Sequence, residues 1–416
     1  MIKNLINLSF TQTGKDTGIV FLGTLINVII GGLFFILAPR ILGPADYGLF
    51  SVVLATGLMA FNFANFGIDT GILRFIKPDQ KETNQKYLKL AFKAYLVLGL
   101  LIFFLGYVFS PAIAELLNAP QTENLLRIAF GATIFSLLGN FFVAALQTQK
   151  QFIKASVVNI SSNAARLVIL AVASYFLTID LYFLTILVYS VTILYVIFGK
   201  IFVPLDFLKV KEEHLHFRHF FSYNFWVAAS LAISAVPFDN YLLVKIAGPI
   251  ATGLYAAPMK ILATTYQFAG SFSRVLASRY SSFDSNKKAI EFSQKAIPLV
   301  LAVFIGLIVI SFLANPIVRL FFGNQYQESI QIFRIISVGM AFFFADTIPV
   351  SLILYYFGKS QIAFFITVLH YFIYAILLFL LISNYSAIGA ALAFTVSEII
   401  TFIVLVGYVF FKFKIR

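Results

Sequence analysis

Five residues share one helical spacing and carry side chains suited to binding an anion. Lys260, Thr264, Gln267, Ser271 and Arg274 follow one another in alternating steps of four and three residues. At 3.6 residues per turn they fall on one face of a helix. The sequence around them is apolar, so this face must meet protein or water, because lipid would penalise its charges. A second polar face lies earlier, where Asn62, Asn65 and Asp69 are spaced by three and four, with Arg74 just beyond. A scaffold with a cationic cluster set off its centre suits an elongated anionic ligand, since Lys and Arg pair well with phosphate oxygens. The competing reading is a buried hydrogen-bond network between helices, common among polar residues in bundles.

Other ionisable groups in apolar surroundings are functional candidates by the same rule. Asp239 and Asn240 are followed by Lys245, which suits either a proton or sodium site or an ion pair at the outer surface. Arg166 either snorkels or reaches a cavity. Arg40 follows the first apolar run. Glu398, Asp346 and His370 stand singly in the last three apolar segments. The spacing of His and carboxylates provides no zinc site, the chain has no cysteine, and no Walker-type phosphate loop occurs, so metal catalysis and ATP hydrolysis by this chain are not expected.

The elements that must position these groups are membrane helices. Of the 416 residues, 61% are hydrophobic and 11% charged. A soluble domain carries about 25% charged residues, so a soluble chain of this composition would expose large apolar patches. The apolar residues come in runs of about the 20 residues that cross a bilayer as a helix, without the strict alternation of barrel strands. Spans are predicted at 17–39, 47–67, 90–110, 125–146, 154–176, 181–199, 220–242, 250–272, 294–314, 330–354, 361–382 and 387–411. The last two are separated near Ser383-Asn384. Met1 to Ser9 does not read as a cleavable signal, because Asn and Lys interrupt it.

Charge sets the orientation. The connection after the second span holds Arg74, Lys77, Lys81, Lys86, Lys89 and Lys93, and the same side holds Lys200, Lys209, Lys211, Arg274, Arg279, Lys287, Lys288, Lys359, Lys412 and Lys414. The opposite connections hold Arg40, Lys245 and Arg319. Lys and Arg favour the cytoplasm, so both termini are expected there, which requires an even number of spans. The net charge of +13 is explained by orientation and contact with anionic lipid, and no nucleic-acid partner is expected.

The chain also repeats itself. Arg40-Ile41-Leu42-Gly43-Pro44 and Gly48-Leu49-Phe50 match Lys245-Ile246-Ala247-Gly248-Pro249 and Gly253-Leu254-Tyr255. Asn62 then corresponds to Gln267, Asp69 to Arg274, and Ala55 to Lys260. Six spans separate the copies, so the halves keep the same orientation, as in a parallel repeat. The expected fold is an all-α polytopic membrane protein of about twelve transmembrane helices, in two repeat-related six-helix bundles around a central cavity. The expected division is an N-terminal bundle at 1–199, a cytoplasmic linker at 200–219 and a C-terminal bundle at 220–416.

The stretch from Gly14-Lys15-Asp16 through Ala38-Pro39-Arg40-Ile41-Leu42-Gly43-Pro44-Ala45-Asp46-Tyr47-Gly48-Leu49-Phe50 resembles the polysaccharide transporter, or oligosaccharide flippase (Wzx-like), family. That family belongs to the multidrug/oligosaccharidyl-lipid/polysaccharide exporter superfamily, and the resemblance extends over the full length. It implies movement of an undecaprenyl-diphosphate-linked oligosaccharide from the cytoplasmic to the outer leaflet of the inner membrane. Related peptidoglycan-precursor flippases hold the diphosphate with arginines in the first, second and eighth helices. Here the apolar part of the first helix has only Thr24 and Asn27, the second has Arg74, and the eighth has Lys260 and Arg274. The resemblance thus implies that Lys260, Arg274 and Arg74 bind the diphosphate, with Asn62, Gln267 and Thr264 bonding phosphate or sugar. Arg166, Lys245 and Arg40 are secondary candidates. The two extra helices that form a lipid groove in those relatives are lacking.

No cofactor is expected, and a proton or sodium ion, acting through Asp69 or Asp239, is the candidate coupling ion. The expected partners are the lipid-linked substrate, membrane lipids and glycan-assembly proteins. The alternative function is a multidrug/cation antiporter of the same superfamily. An enzyme such as a polysaccharide polymerase is not expected, because the longest external connection, near 314–329, is short and nearly free of acid–base groups.

Overall fold

The computed structural model describes residues 12–76, 80–210 and 232–415, with a few side chains among them left undescribed. The described residues form helices: α1 (Gln12–Asn65), α2 (Ile68–Phe75), α3 (Lys81–Leu116), α4 (Glu123–Thr148), α5 (Phe152–Phe176), α6 (Leu181–Ser190), α7 (Ile193–Phe202), α8 (Phe238–Leu262), α9 (Thr264–Tyr280), α10 (Asn286–Phe312), α11 (Ala314–Phe322), α12 (Ser329–Ala345), α13 (Thr347–Ser351) and α14 (Ser360–Ile415). A π-helical turn, Leu352–Tyr356, continues α13.

Among the described residues, nine helical stretches are long and apolar enough to cross a membrane. Three of them contain a residue outside helical geometry: Gly43 in α1, Gly248 in α8 and Ser386 in α14. Each of the three is therefore two spans, which gives twelve among the described residues, the number expected from the apolar runs. The last break lies just past the expected Ser383-Asn384. The seventh span is described only from 232, and the histidines of the expected linker (His214, His216, His219) lie outside the described residues. This is an all-α polytopic membrane protein.

The chain divides into two compact units, one of residues 1–34 and 52–237, the other of 35–51 and 238–416. In the first, Tyr95, Leu137, Phe141, Phe142 and Val158 form the core. Edge-to-face rings of Phe92, Phe141 and Phe142 tighten it, and Phe207 closes it from the turn that follows α7. Lys89 donates from Nζ to the carbonyl of Val210 at 2.7 Å. In the second unit the core is built from Ala269, Leu276, Tyr280, Ala289, Ile348, Ile353 and Leu405. The repeat shows in burial. The fourth and tenth spans, α4 and α12, are buried in their units. The third and ninth, α3 and α10, expose Val97, Leu100, Phe104, Leu299, Leu301 and Ile305, as lipid-facing helices do.

The two Gly-Pro motifs meet inside the second unit. Gly43 has φ 73° and ψ 172°, and Gly248 has φ 84° and ψ 177°, a conformation that side chains disfavour. Five residues on, Gly48 and Gly253 pack against each other's helix. A Cβ on Gly48 would collide with the Pro249 carbonyl, and one on Gly253 would collide with the Pro44 carbonyl. Small residues permit this close approach of helix backbones.

Candidate functional site

Lys260 lies near the end of α8, and the helix breaks at Ala263 before α9 begins. Thr264 Oγ1 donates to the Ile261 carbonyl at 2.8 Å, satisfying an acceptor at the break. Lys260, Gln267, Ser271 and Arg274 are exposed and Thr264 is half-buried. Lys260 Nζ stands 4.2 Å from the centroid of the Phe35 ring, a cation–π contact within the second unit. Arg274 donates from Nη2 to Ser271 Oγ at 3.1 Å. The face therefore presents two cations and an amide.

In the first unit the backbone takes positive φ at Phe66 and Gly67, and α2 starts with Asp69 in its first turn. The turn aims donors at that carboxylate. Asp69 Oδ1 accepts from the Thr70 amide at 2.7 Å and from Asn65 Nδ2 at 3.2 Å, and Oδ2 accepts from Asn140 Nδ2 at 3.3 Å. Tyr95 donates to Asn65 Oδ1 at 2.5 Å. Asn62 is half-buried one turn before. The backbone of Arg74 is in α2, and its side chain lies outside the described residues. Asn140 and Tyr95 carry no charge, so nothing in the sequence marks them as partners of Asp69.

Arg166 is 8% exposed. Its guanidinium lies 4.2 Å from the Phe34 ring centroid and donates to Asn163 Oδ1 at 2.6 Å. Asn163 Nδ2 in turn donates to Asn27 Oδ1 at 2.6 Å. Arg166 thus reaches the first span rather than snorkelling. Arg40 is exposed and donates to the Leu320 carbonyl at 3.4 Å, while Gln325 donates to the Arg40 carbonyl at 2.9 Å. Lys245 is exposed.

Asp239 begins α8 after the helix interruption at Val236-Pro237. Tyr255 donates to Asp239 Oδ2 at 3.0 Å, and the Tyr255 and Tyr374 hydroxyls are 3.3 Å apart. The Asn240 amide donates to Asp239 Oδ1 at 2.8 Å, and Ser51 donates to Asn240 Oδ1 at 3.1 Å. The phenols that hold Asp239 give no sign of it in the sequence, because nothing marks two tyrosines among 20. The second unit also brings His370 and Glu398 together at 3.8 Å, although each reads as a lone group along the chain.

The described spans, in two compact units with polar clusters inside them, define an all-α polytopic membrane fold. The solved structure of a multidrug resistance MATE family transporter of the MOP superfamily, in an inward-facing conformation, superimposes with a TM-score of 0.78 at 12% identity, covering 94% of each chain. The lipid II flippase MurJ in an inward closed conformation superimposes with 0.73 at 16% identity, covering 95% of this chain and 87% of that one. The family model described as "Polysaccharide biosynthesis protein" matches residues 13–277. The chain belongs to that family. A "Putative O-antigen transporter" of Shigella flexneri is 23% identical over 377 residues, covering 87% of this chain and 89% of that protein. The chain stands among transporters and not enzymes.

Proposed function

We propose that this chain flips an undecaprenyl-diphosphate-linked oligosaccharide from the cytoplasmic to the outer leaflet by alternating access, for cell-surface polysaccharide synthesis. The observation that carries the reading is the exposed face of Lys260, Gln267 and Arg274 on spans that are otherwise apolar. Cations cost much at membrane depth and are kept for anionic cargo or ion pathways. Lys260 and Arg274 hold the diphosphate, and Gln267 and Thr264 bond phosphate or sugar. The names of the O-antigen transporter and of the lipid II flippase support a lipid-linked substrate.

The host is a cell with a cytoplasmic membrane bearing such lipids, and the charge distribution supports placing both termini in the cytoplasm. Glycan-assembly proteins are the natural neighbours. Asp69 or Asp239 couples the cycle to a proton or sodium gradient. In cells, Lys260→Ala and Arg274→Ala are each expected to lower export about 10- to 100-fold, the loss of a charge-assisted hydrogen bond of about 1.5–3 kcal/mol. Lipid-linked oligosaccharide should then accumulate on the cytoplasmic side. Unchanged export at normal protein levels would sink the assignment.

The second reading is a multidrug/cation antiporter. The likeness to the MATE fold and the carboxylate of Asp239 favour it. It requires a deletion strain to become sensitive to cationic drugs while its lipid-linked intermediates stay at normal levels.

A further inference from the structure

The second unit holds a titratable pair that the substrate-binding face does not use. Helix α14 reverses at Ser386, where φ is 52°, and a Cβ on Gly389 would collide with the Leu381 carbonyl. The tight turn brings His370, before the break, against Thr401 and Glu398, after it. The side chains of His370 and Glu398 are 13% and 6% exposed.

Hydrogen bonding determines which ring nitrogen carries the proton. Thr401 Oγ1 donates its single hydrogen to the Ser397 carbonyl at 2.8 Å. The 2.9 Å contact between His370 Nδ1 and Thr401 Oγ1 must then run from Nδ1–H to the hydroxyl oxygen. In the neutral ring Nε2 therefore bears a lone pair, and it faces Glu398 Oε1 at 3.8 Å. One proton has two places to sit. It is either on the Glu398 carboxyl beside a neutral imidazole, or on Nε2 in an imidazolium–carboxylate pair. In both cases the pair holds one net proton, with both side chains largely buried.

The groups around the pair are acids and phenols. Asp346 at the end of α12 couples electrostatically to Glu398, as does Tyr266 of α9. Tyr371 lies on the helix of His370 and also couples to Glu398. The Tyr374 ring stacks on the imidazole with centroids 6.1 Å apart, and its hydroxyl leads through Tyr255 to Asp239 of α8. Among the described residues no three His, Cys, Asp or Glu side chains converge to hold a metal ion. A histidine presenting one lone pair to one carboxylate suits a proton instead.

We propose that His370 and Glu398 form the proton-loading site that couples transport to a proton gradient, beside the Asp239 carboxylate that Tyr255 holds. This deepens the flippase reading and rests on it for the transported substrate. The proton comes from water on one side, resides on Glu398 or on Nε2, and returns to water on the other.

The test uses the full chain in vesicles of phosphatidylethanolamine and phosphatidylglycerol, with two measurements. Infrared difference spectra between acidic and alkaline buffer should show a carboxylic-acid carbonyl band that Glu398→Gln abolishes and whose midpoint His370→Gln shifts. Glu398→Asp, which keeps the acid on a shorter arm, should restore a shifted band. In the second measurement an imposed pH gradient should accelerate flipping of lipid-linked oligosaccharide by the unmodified chain. The ratio of rates with and without the gradient should fall to one in Glu398→Gln and His370→Gln. A band and midpoint untouched by both variants overturn the proposal, and so does an undiminished gradient response. A chain that titrates at Glu398 but moves no lipid-linked oligosaccharide upholds the proton site and defeats the substrate reading.

Discussion

Asn163 uses both ends of its amide, accepting from Arg166 at 2.6 Å and donating to Asn27 at 2.6 Å. The first bond ties a buried guanidinium to its own helix, and the second joins two spans. A neutral bond between membrane helices contributes about 0.6 kcal/mol on average, whereas one to a charged group is worth about 1.5–3 kcal/mol. Asn163→Ala is therefore expected to destabilise the folded chain by about 1–3 kcal/mol, most of it from the guanidinium. Denaturant unfolding in detergent micelles measures this, and an unmoved midpoint would show that the stacking of Arg166 on Phe34 suffices alone. Part of this site is legible in the sequence. An arginine inside a span announces itself, and Asn163 lies one helical turn before it. Phe34, whose ring lies under the guanidinium, is not legible, because nothing marks one phenylalanine among 50. The same holds for Phe35 beneath Lys260.

At the scale of elements, membrane helices are easy to read because lipid demands an unbroken apolar run and leaves the backbone no other partner. Where one helix ends and the next begins is harder. Gly-Pro reads as a turn, and in the structure a single glycine in a left-handed conformation makes it, so the flanking helices run almost into each other at Gly43 and Gly248. The repeat of Gly48 and Gly253 is visible in the sequence, but their mutual contact is not, since it depends on residues 35–51 packing within the second unit. The contact has a measurable consequence. Gly48→Ala and Gly253→Ala each push a methyl group into the facing backbone, and overpacking of this kind costs about 1–3 kcal/mol. Because either methyl group widens the same crossing, the double variant should lose less than the sum of the two. Thermal unfolding of the three variants checks this. Additive losses would mean that the two glycines act at separate sites.

For the whole molecule, parity links the repeat to the charges. Six spans between the copies keep them in the same orientation, so Arg40 and Lys245, which are repeat-related, must emerge on one side of the membrane. Lys359 lies between the tenth and eleventh spans, an odd number of crossings from Lys245, and so must emerge on the other. The basic connections assign the side of Lys359 to the cytoplasm. The chain has no cysteine, which allows a direct reading. Lys245, Arg319 and Lys359 are all exposed. In intact cells a membrane-impermeant maleimide should label Lys245→Cys and Arg319→Cys and spare Lys359→Cys. In inside-out vesicles the pattern should reverse. Labelling of Lys245→Cys and Lys359→Cys from the same side would break the count of twelve. Reversed labelling of all three would keep the count and place the basic connections outside, contrary to the rule that orients them. The two failures differ because span number follows from the lengths of the apolar runs, whereas orientation follows only from where lysine and arginine fall.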